Sequence, residues 1–296
     1  MRIAITGASG LVGTRLCGLL AGERHEPIGV VRSEAGARRV RDAGGLPVST
    51  ALEPVGLTQA FHGAHAVVHL AQIGRQTAGS SFETVNLGGT RAVMQAAAAA
   101  GVRRLVYFSG LGVAHYGKKR HCTNAYFLSK LLCEAGLLRS GIETIVFRPS
   151  YVVGPGGEFL PGLLRDMQAG EVECVGDGEY RLQPIALRDA AAALLAALER
   201  PAGATPFVYD LVGPEALSYN HWLERLVAVA GRSAGYRVRQ VPVEVALQRA
   251  RERGELEELD CLLCDESSDP LPLESLLGRF LTPLDEALRQ ALPGLS

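Results

Sequence analysis

Along the first half of the chain, short unbroken apolar runs alternate with apolar residues spaced at three and four. Ile3, Ala4 and Ile5 are continuous within Arg2–Thr6 and stop at Gly7, which predicts a short buried strand. Leu11, Leu16, Leu19 and Leu20 then fall at helical spacing, so a helix is expected from Leu11 to Leu20. A second strand is expected at Pro27–Arg32, and a helix at Glu34–Ala43 that ends in Gly44-Gly45. Ala66–Ala71 predicts a third strand, and the alanine-rich Thr90–Ala100 predicts a helix stopped by Gly101. Leu105–Phe108 and Thr144–Phe147 read as further strands, separated by a helix through Tyr126–Leu138. Strand and helix in this alternation make an α/β fold, a doubly wound parallel sheet with helices on both faces.

The texture changes after Arg148, with Pro149, Pro155, Pro161 and a cluster of glycines from Gly154 to Gly176. A helix returns at Asp189–Glu199, and the tail from Pro201 onward mixes short strands and helices. No linker separates independent domains. The expectation is one domain over 1–296, with a core of 1–155 and about 183–200 and a small C-terminal substrate lobe from about 156–182 and 201–296. Trp222, with Tyr219 and Leu223, is expected to anchor the lobe, and Glu244 through Glu258 reads as an exposed charged helix.

Composition narrows the function classes. Thirty basic against thirty-one acidic residues give a net charge of -1, so nothing points to nucleic acid. No apolar run reaches the roughly 18–20 residues of a membrane span, and the N-terminus lacks the pattern of a signal peptide. Six cysteines in 296 residues form no disulfide framework, so the chain reads as cytoplasmic and reduced. Cys261-x-x-Cys264 has no second pair to complete a zinc site and reads as an apolar turn or strand; no metal is expected.

Thr6-Gly7-Ala8-Ser9-Gly10-Leu11-Val12-Gly13 carries the first chemistry. Gly7 permits a sharp turn from strand to helix, Gly10 lets a pyrophosphate approach the backbone, and Gly13 lets the helix pack closely on the sheet. The N–H groups of this stretch, from Ser9 to Val12, and the positive end of the helix dipole then face the phosphates. The stretch is a dinucleotide site of Rossmann type. Arg32 and Ser33 follow the second strand, where an acidic residue would hold the ribose of NAD. An arginine there suits a 2′-phosphate, which favours NADP(H). Glu34 is close enough to keep NAD(H) open.

Tyr126 and Lys130 stand four apart on one face of a helix, in a chain whose only other lysines are Lys118 and Lys119. An ammonium beside a phenol favours the phenolate, so the tyrosine pKa is expected to fall toward the working pH. Such a tyrosine exchanges a proton with a substrate hydroxyl or carbonyl while a nicotinamide moves the hydride. His115, His121 and Lys118-Lys119-Arg120 border the same region, as an anion contact or as a solvated loop.

Together these motifs resemble the short-chain dehydrogenase/reductase superfamily, in its extended, NAD-dependent epimerase/dehydratase-like and atypical branches. Val85-Asn86-Leu87-Gly88-Gly89-Thr90 is similar to the family's Asn-x-x-Gly-Thr helix start, and the resemblance makes Asn86 a support of the catalytic lysine through water. Val67–Ala71 resembles the strand whose end, here Leu70 and Ala71, lies beside the cofactor. Arg148–Pro155 resembles the segment passing the nicotinamide, with Pro149 and Val152 at the cofactor. Gln183–Ala191 resembles a later strand and helix start of the extended branch. The resemblance implies that Tyr126 is the acid/base, that Lys130 tunes it and anchors the ribose, and that the substrate is a small molecule held by a homodimeric enzyme.

Two places depart from the family pattern. The usual serine that polarises the reacting oxygen falls on Leu111, leaving Ser109 two positions earlier as the candidate partner. Where Asp-Leu often meets adenine, this chain has Ala51-Leu52. Phe108–Val113 and the late Cys261–Asp265 and Leu281–Leu284 resemble the subgroup that contains the nucleotide-binding accessory subunit of respiratory complex I. The functional expectation is an NADP(H)-dependent oxidoreductase or epimerase/dehydratase-like enzyme acting on a hydroxyl or carbonyl. Its alternative is a non-catalytic NADP(H)-binding structural or redox-sensing protein.

Overall fold

In a computed structural model that describes residues 1–157, 159–201, 207–230 and 236–292, seven parallel strands form one central sheet. The first half runs β1 (Arg2–Thr6), α1 (Leu11–Gly22), β2 (Glu26–Val31), α2 (Glu34–Asp42), β3 (Leu46–Ser49), α3 (Pro54–Ala60), β4 (Ala66–His69), α4 (Gly89–Ala99), β5 (Arg104–Phe108), α5 (Ala125–Leu138) and β6 (Glu143–Pro149). There follow β7 (Val152–Val153), α6 (Phe159–Gln168), β8 (Glu171–Val175), β9 (Arg181–Leu182), β10 (Ile185–Ala186), α7 (Leu187–Glu199), β11 (Phe207–Leu211) and β12 (Leu217–Ser218). The chain closes with α8 (Tyr219–Ala230), β13 (Arg237–Val241), α9 (Val243–Arg253), α10 (Leu256–Leu263), α11 (Leu271–Leu277) and α12 (Leu284–Ala291). The sheet order is β11-β6-β5-β4-β1-β2-β3, so the winding reverses between β1 and β4. Ligands of such sheets bind at that reversal, outside the carboxyl ends of the strands.

Period-two alternation explains why these strands read as unbroken apolar runs. Ile3 and Ile5 face a layer containing Leu16, Leu20, Val40 and Leu194 on one side of the sheet. Ala4 between them faces Leu57, Phe61, Val93 and Leu137 on the other. Both faces are covered, so the strands are mainly apolar, and the buried polar residues they do carry, such as Thr6 and His69, are hydrogen-bonded. A separate cluster gathers Trp222, Leu223 and Tyr219 with Val153, Leu164 and Leu288.

Several expectations need correction. β3 and α3 escaped the pattern because β3 is four residues long with exposed ends and carries Pro47. The tail does not stand wholly apart: β11 pairs with β6, Val208 with Val146 and Leu211 with Pro149, and Leu273 and Leu281 join the cluster under the sheet. Residues 158, 202–206, 231–235 and 293–296 of the expected lobe lie outside the described residues. Glu244–Glu258 is two helices, because Gly254 at φ 66° ends α9 in the left-handed conformation. Cys261 lies in α10 and Cys264 in the turn that follows it, not in a strand.

The cysteines are not all reduced. Cys122 and Cys264 are bonded, with Cα atoms 5.9 Å apart and a separation of 142 positions in sequence. That separation hides the pair from any argument on spacing. The bond fastens the tail beside the loop that precedes α5. Among the described residues no helix is long and apolar enough to cross a membrane.

Candidate active site

The turn after β1 is shaped by two glycines that no other residue can replace. Gly7 has φ 70°, and a Cβ there would lie 2.8 Å from the Ala71 nitrogen and 2.9 Å from the Leu70 carbonyl carbon. Leu70 and Ala71 therefore press directly on the turn, as the sequence placed them. A Cβ on Gly13 would lie 2.4 Å from the Gly7 oxygen, so α1 rests on the turn itself. Gly10 opens α1 without a side-chain cap, and the first turn has no acidic residue. The helix N-terminus that includes Leu11 and Val12 thus keeps its positive end open to an anion. A cavity of about 860 Å³ adjoins it, lined by Ser9, Gly10, Arg15, Arg39 and Gly154.

Ser9 and Ser33 converge around Gly36, whose Cβ would lie 3.2 Å from the Ser9 hydroxyl and 3.3 Å from that of Ser33. Ser33 caps α2 by accepting from the Gly36 N–H at 3.2 Å. Arg32 is exposed beside it. Glu34 is drawn away along α2 by Arg41, at 2.9 Å. These groups fit the adenosine end of a dinucleotide, with the glycine cradle on the pyrophosphate.

Tyr126 and Lys130 project from the start of α5, which Asn124 caps by accepting from the Phe127 N–H at 2.9 Å. The Tyr126 ring packs on Phe82 and Phe127, with centroids 5.8 and 5.4 Å away. Lys130 is 1% exposed. Its ammonium donates to the Phe108 carbonyl at 2.7 Å and to the Gln72 side-chain oxygen, and lies 4.4 Å above the Tyr107 ring.

Burial pushes Lys130 down to about 7. The same burial pushes the Tyr126 phenol up, and Cys261 and Glu266 add to the rise against a hydrogen bond with Gln72. The expected fall of the tyrosine pKa is thus reversed. Desolvation outweighs an ammonium that is itself half-deprotonated near pH 7 and engaged elsewhere.

Asn86 sits in a wide π-helical turn over Phe82–Gly88, a distortion that recurs at functional sites. It donates to the Ile73 carbonyl at 3.2 Å and to Ser129 at 3.1 Å, and accepts from the Ile73 N–H at 2.9 Å. Both its side-chain donors are used within the protein, so it ties the strand exit that follows Gln72 to α5. His69 spans Thr6 at 2.7 Å and Thr90 at 3.0 Å, and burial, with the Lys130 charge, pushes it down to about 3. It is a neutral brace.

A second cavity of about 300 Å³ brings Tyr126 together with Ser109, Ser150, Tyr151, Cys261 and Glu266, with Leu111, Pro149 and Val152 in its walls. Ser109 is 0% exposed, and its hydroxyl and that of Ser150 have no hydrogen-bond partner among the described residues. Buried hydroxyls without partners are costly, and two beside one phenol mark the place of a ligand oxygen. No lysine, arginine or histidine lines this cavity among the described residues. The basic loop is partly tied to the tail, since Lys119 donates to the Asp265 carbonyl at 2.7 Å and His121 meets Asp260 at 2.8 Å, while Lys118 and Arg120 are exposed.

Sequence reasoning missed Gln72, Ser150, Tyr151, Cys261 and Glu266. Gln72 follows the β4 exit and Ser150 lies inside a quoted motif, so both were within reach. Glu266 comes from a tail whose path no local pattern records.

With this geometry in place, comparison with known proteins gives a consistent result. The NAD dependent epimerase/dehydratase family matches residues 3–211. The chain is 28% identical over 254 residues to the 2-alkyl-3-oxoalkanoate reductase of Stenotrophomonas maltophilia, across 78% of this chain and 76% of that one. It is 27% identical over 311 residues to the 4-hydroxy-2-methyl-3-oxo-4-farnesyl-3,4-dihydroquinoline-1-oxide ketoreductase of Stigmatella aurantiaca, across 99% and 91%. The UDP-glucuronic acid 4-epimerase of Bacillus cereus, solved with UDP-glucuronic acid and NAD, shares the fold with a TM-score of 0.76 at 19% identity, across 98% and 97%.

Proposed function

The chain belongs to the NAD dependent epimerase/dehydratase family and is a nicotinamide-dependent enzyme of the short-chain dehydrogenase/reductase type; from that premise we propose that it is an NADP(H)-dependent reductase of a small, uncharged carbonyl compound. One observation carries the reading. The cavity gathers four hydroxyls, those of Tyr126, Ser109, Ser150 and Tyr151, among apolar walls and has no cationic side chain among the described residues. A sugar nucleotide brings a diphosphate, which needs cationic or multiple amide partners near the substrate. A ketone or aldehyde needs only donors at its oxygen, and the substrate names of the two reductase relatives carry an oxo group, in one of them on an alkanoate that also brings a carboxylate.

The reduced nicotinamide, when bound, supplies a hydride to the carbonyl carbon. The glycine turn, Leu70 and Ala71 would hold the dinucleotide, with Pro149 and Val152 at its reactive end. Tyr126 hands its phenolic proton to the substrate oxygen. Its raised pKa keeps it protonated at neutral pH, the state that reduction requires. Ser109 donates to the same oxygen. Lys130 holds the phenol in its electrostatic setting through Gln72, and Asn86 ties the residue after that glutamine to α5.

The NADP(H) preference rests on Arg32 with Ser9 and Ser33, now that Glu34 is engaged by Arg41. Replacing Arg32 by alanine is expected to weaken NADPH binding roughly 10- to 100-fold, since one charge-assisted phosphate contact is lost. NADH affinity stays put. Fluorescence titration with both cofactors checks this, and equal losses for the two would remove Arg32 from the 2′-phosphate.

A further inference from the structure

We propose that Glu266 is a further catalytic residue, whose carboxyl donates a hydrogen bond to the substrate oxygen from the wall that Leu111 leaves without a donor. The inference deepens the reductase reading and rests on it. Leu111 is buried in the cavity wall and has nothing to donate. Glu266 is the one carboxyl among the residues lining that cavity, and it is 6% exposed. It arrives from a segment far along the chain yet lies near enough to the N–H of Gly112, the neighbour of Leu111, for that group to favour its charged form. The carboxyl therefore stands against the turn that Leu111 begins.

The segment carrying Glu266 is held on both sides. Cys264 is bonded to Cys122, and the Asp265 carbonyl accepts from Lys119 at 2.7 Å. The Asp265 carboxylate accepts from the Arg181 N–H at 2.9 Å. Ser268 donates its N–H to Gln183 at 2.8 Å and its hydroxyl to Asp210 at 2.7 Å. Between these anchors Asp265 has φ 52°, a left-handed conformation that a residue with a side chain adopts at a cost. The surroundings hold that turn, and the next residue is the buried acid. A strained backbone that delivers one carboxyl into an active-site cavity is over-determined for a mere tail contact. Preorganised donors aimed at a developing negative charge cost no reorganisation when the reaction occurs.

A carboxylate could only repel such an oxygen, so the protonated acid is the working form. Burial raises Glu266 to about 8, the Gly112 N–H and Lys119 oppose the rise, and Asp210 adds to it. Cys261 and the phenols Tyr126 and Tyr151 complete the titratable groups around it. Below about pH 8 the acid is neutral and donates; above it the donor is lost. Glu266 is unchanged over a turnover, and the transferred proton is that of Tyr126.

The test is kinetic and spectroscopic on the full chain with NADPH. Glu266→Leu is expected to lower kcat about 100-fold with NADPH affinity unchanged, the scale of losing one donor to an oxyanion. Glu266→Gln restores part of the rate and abolishes the fall of kcat above about pH 8. An infrared difference spectrum between wild type and Glu266→Gln should show a protonated acid at neutral pH. A wild type that reduces carbonyls while Glu266→Leu keeps its kcat overturns the inference alone, as does an ionised Glu266 at neutral pH. A wild type that binds NADPH and reduces nothing overturns the reductase reading and this inference with it.

Discussion

Replacing Tyr126 by phenylalanine is expected to lower kcat/KM for carbonyl reduction by about 100- to 10,000-fold, the worth of a positioned general acid. The loss should fall on kcat, because the proton is transferred in the chemical step. NADPH affinity should hold, since the ring contacts with Phe82 and Phe127 survive the change. The hydroxyl's partner Gln72 keeps the Lys130 ammonium, so no buried group is stranded. Steady-state kinetics beside a fluorescence titration separate the two effects. A variant that reduces its substrate at the wild-type rate would take Tyr126 out of the proton path.

Gly7→Ala is expected to cripple cofactor binding through the backbone. Holding an alanine at φ 70° costs about 1–2 kcal/mol, and a Cβ 2.8 Å from the Ala71 nitrogen adds about 1–3 kcal/mol of overpacking. The turn relieves this by shifting, and the N–H groups that face the pyrophosphate shift with it. NADPH binding should weaken by about 100-fold and the melting temperature should fall, on the scale of the strain just given. Gly22→Ala is the control. It lies in the same helix α1 with nothing within 4 Å of its Cβ, and should be neutral or stabilising. If both variants bind NADPH like wild type, the turn is not the cofactor's cradle.

Much of this arrangement was written locally. The β1–α1 turn, the β4 exit and the α5 pair each lie within a dozen residues, so spacing alone placed Gly7, Gly13, Tyr126 and Lys130. What spacing could not supply was environment. The Tyr126 pKa rises because the site is buried and acids from the tail approach it, and neither fact is visible in Tyr-x-x-x-Lys. Asn86 was placed correctly in its turn, but its two donors are spent on Ile73 and Ser129. The Cys122–Cys264 bond and the delivery of Glu266 depend on contacts across 142 residues of chain, which no periodicity encodes. β11 was lost for a related reason, since an edge strand shows its identity only in its partner β6.

The central claim is a reductase that uses NADPH and the Tyr126 proton. Nicotinamide absorbance, followed with purified protein, NADPH and a panel of uncharged ketones and aldehydes, tests it most directly. NADPH oxidation is expected with at least one carbonyl compound, slower with NADH, and lost in Tyr126→Phe. Saturable NADPH binding with no oxidation across the panel would contradict it.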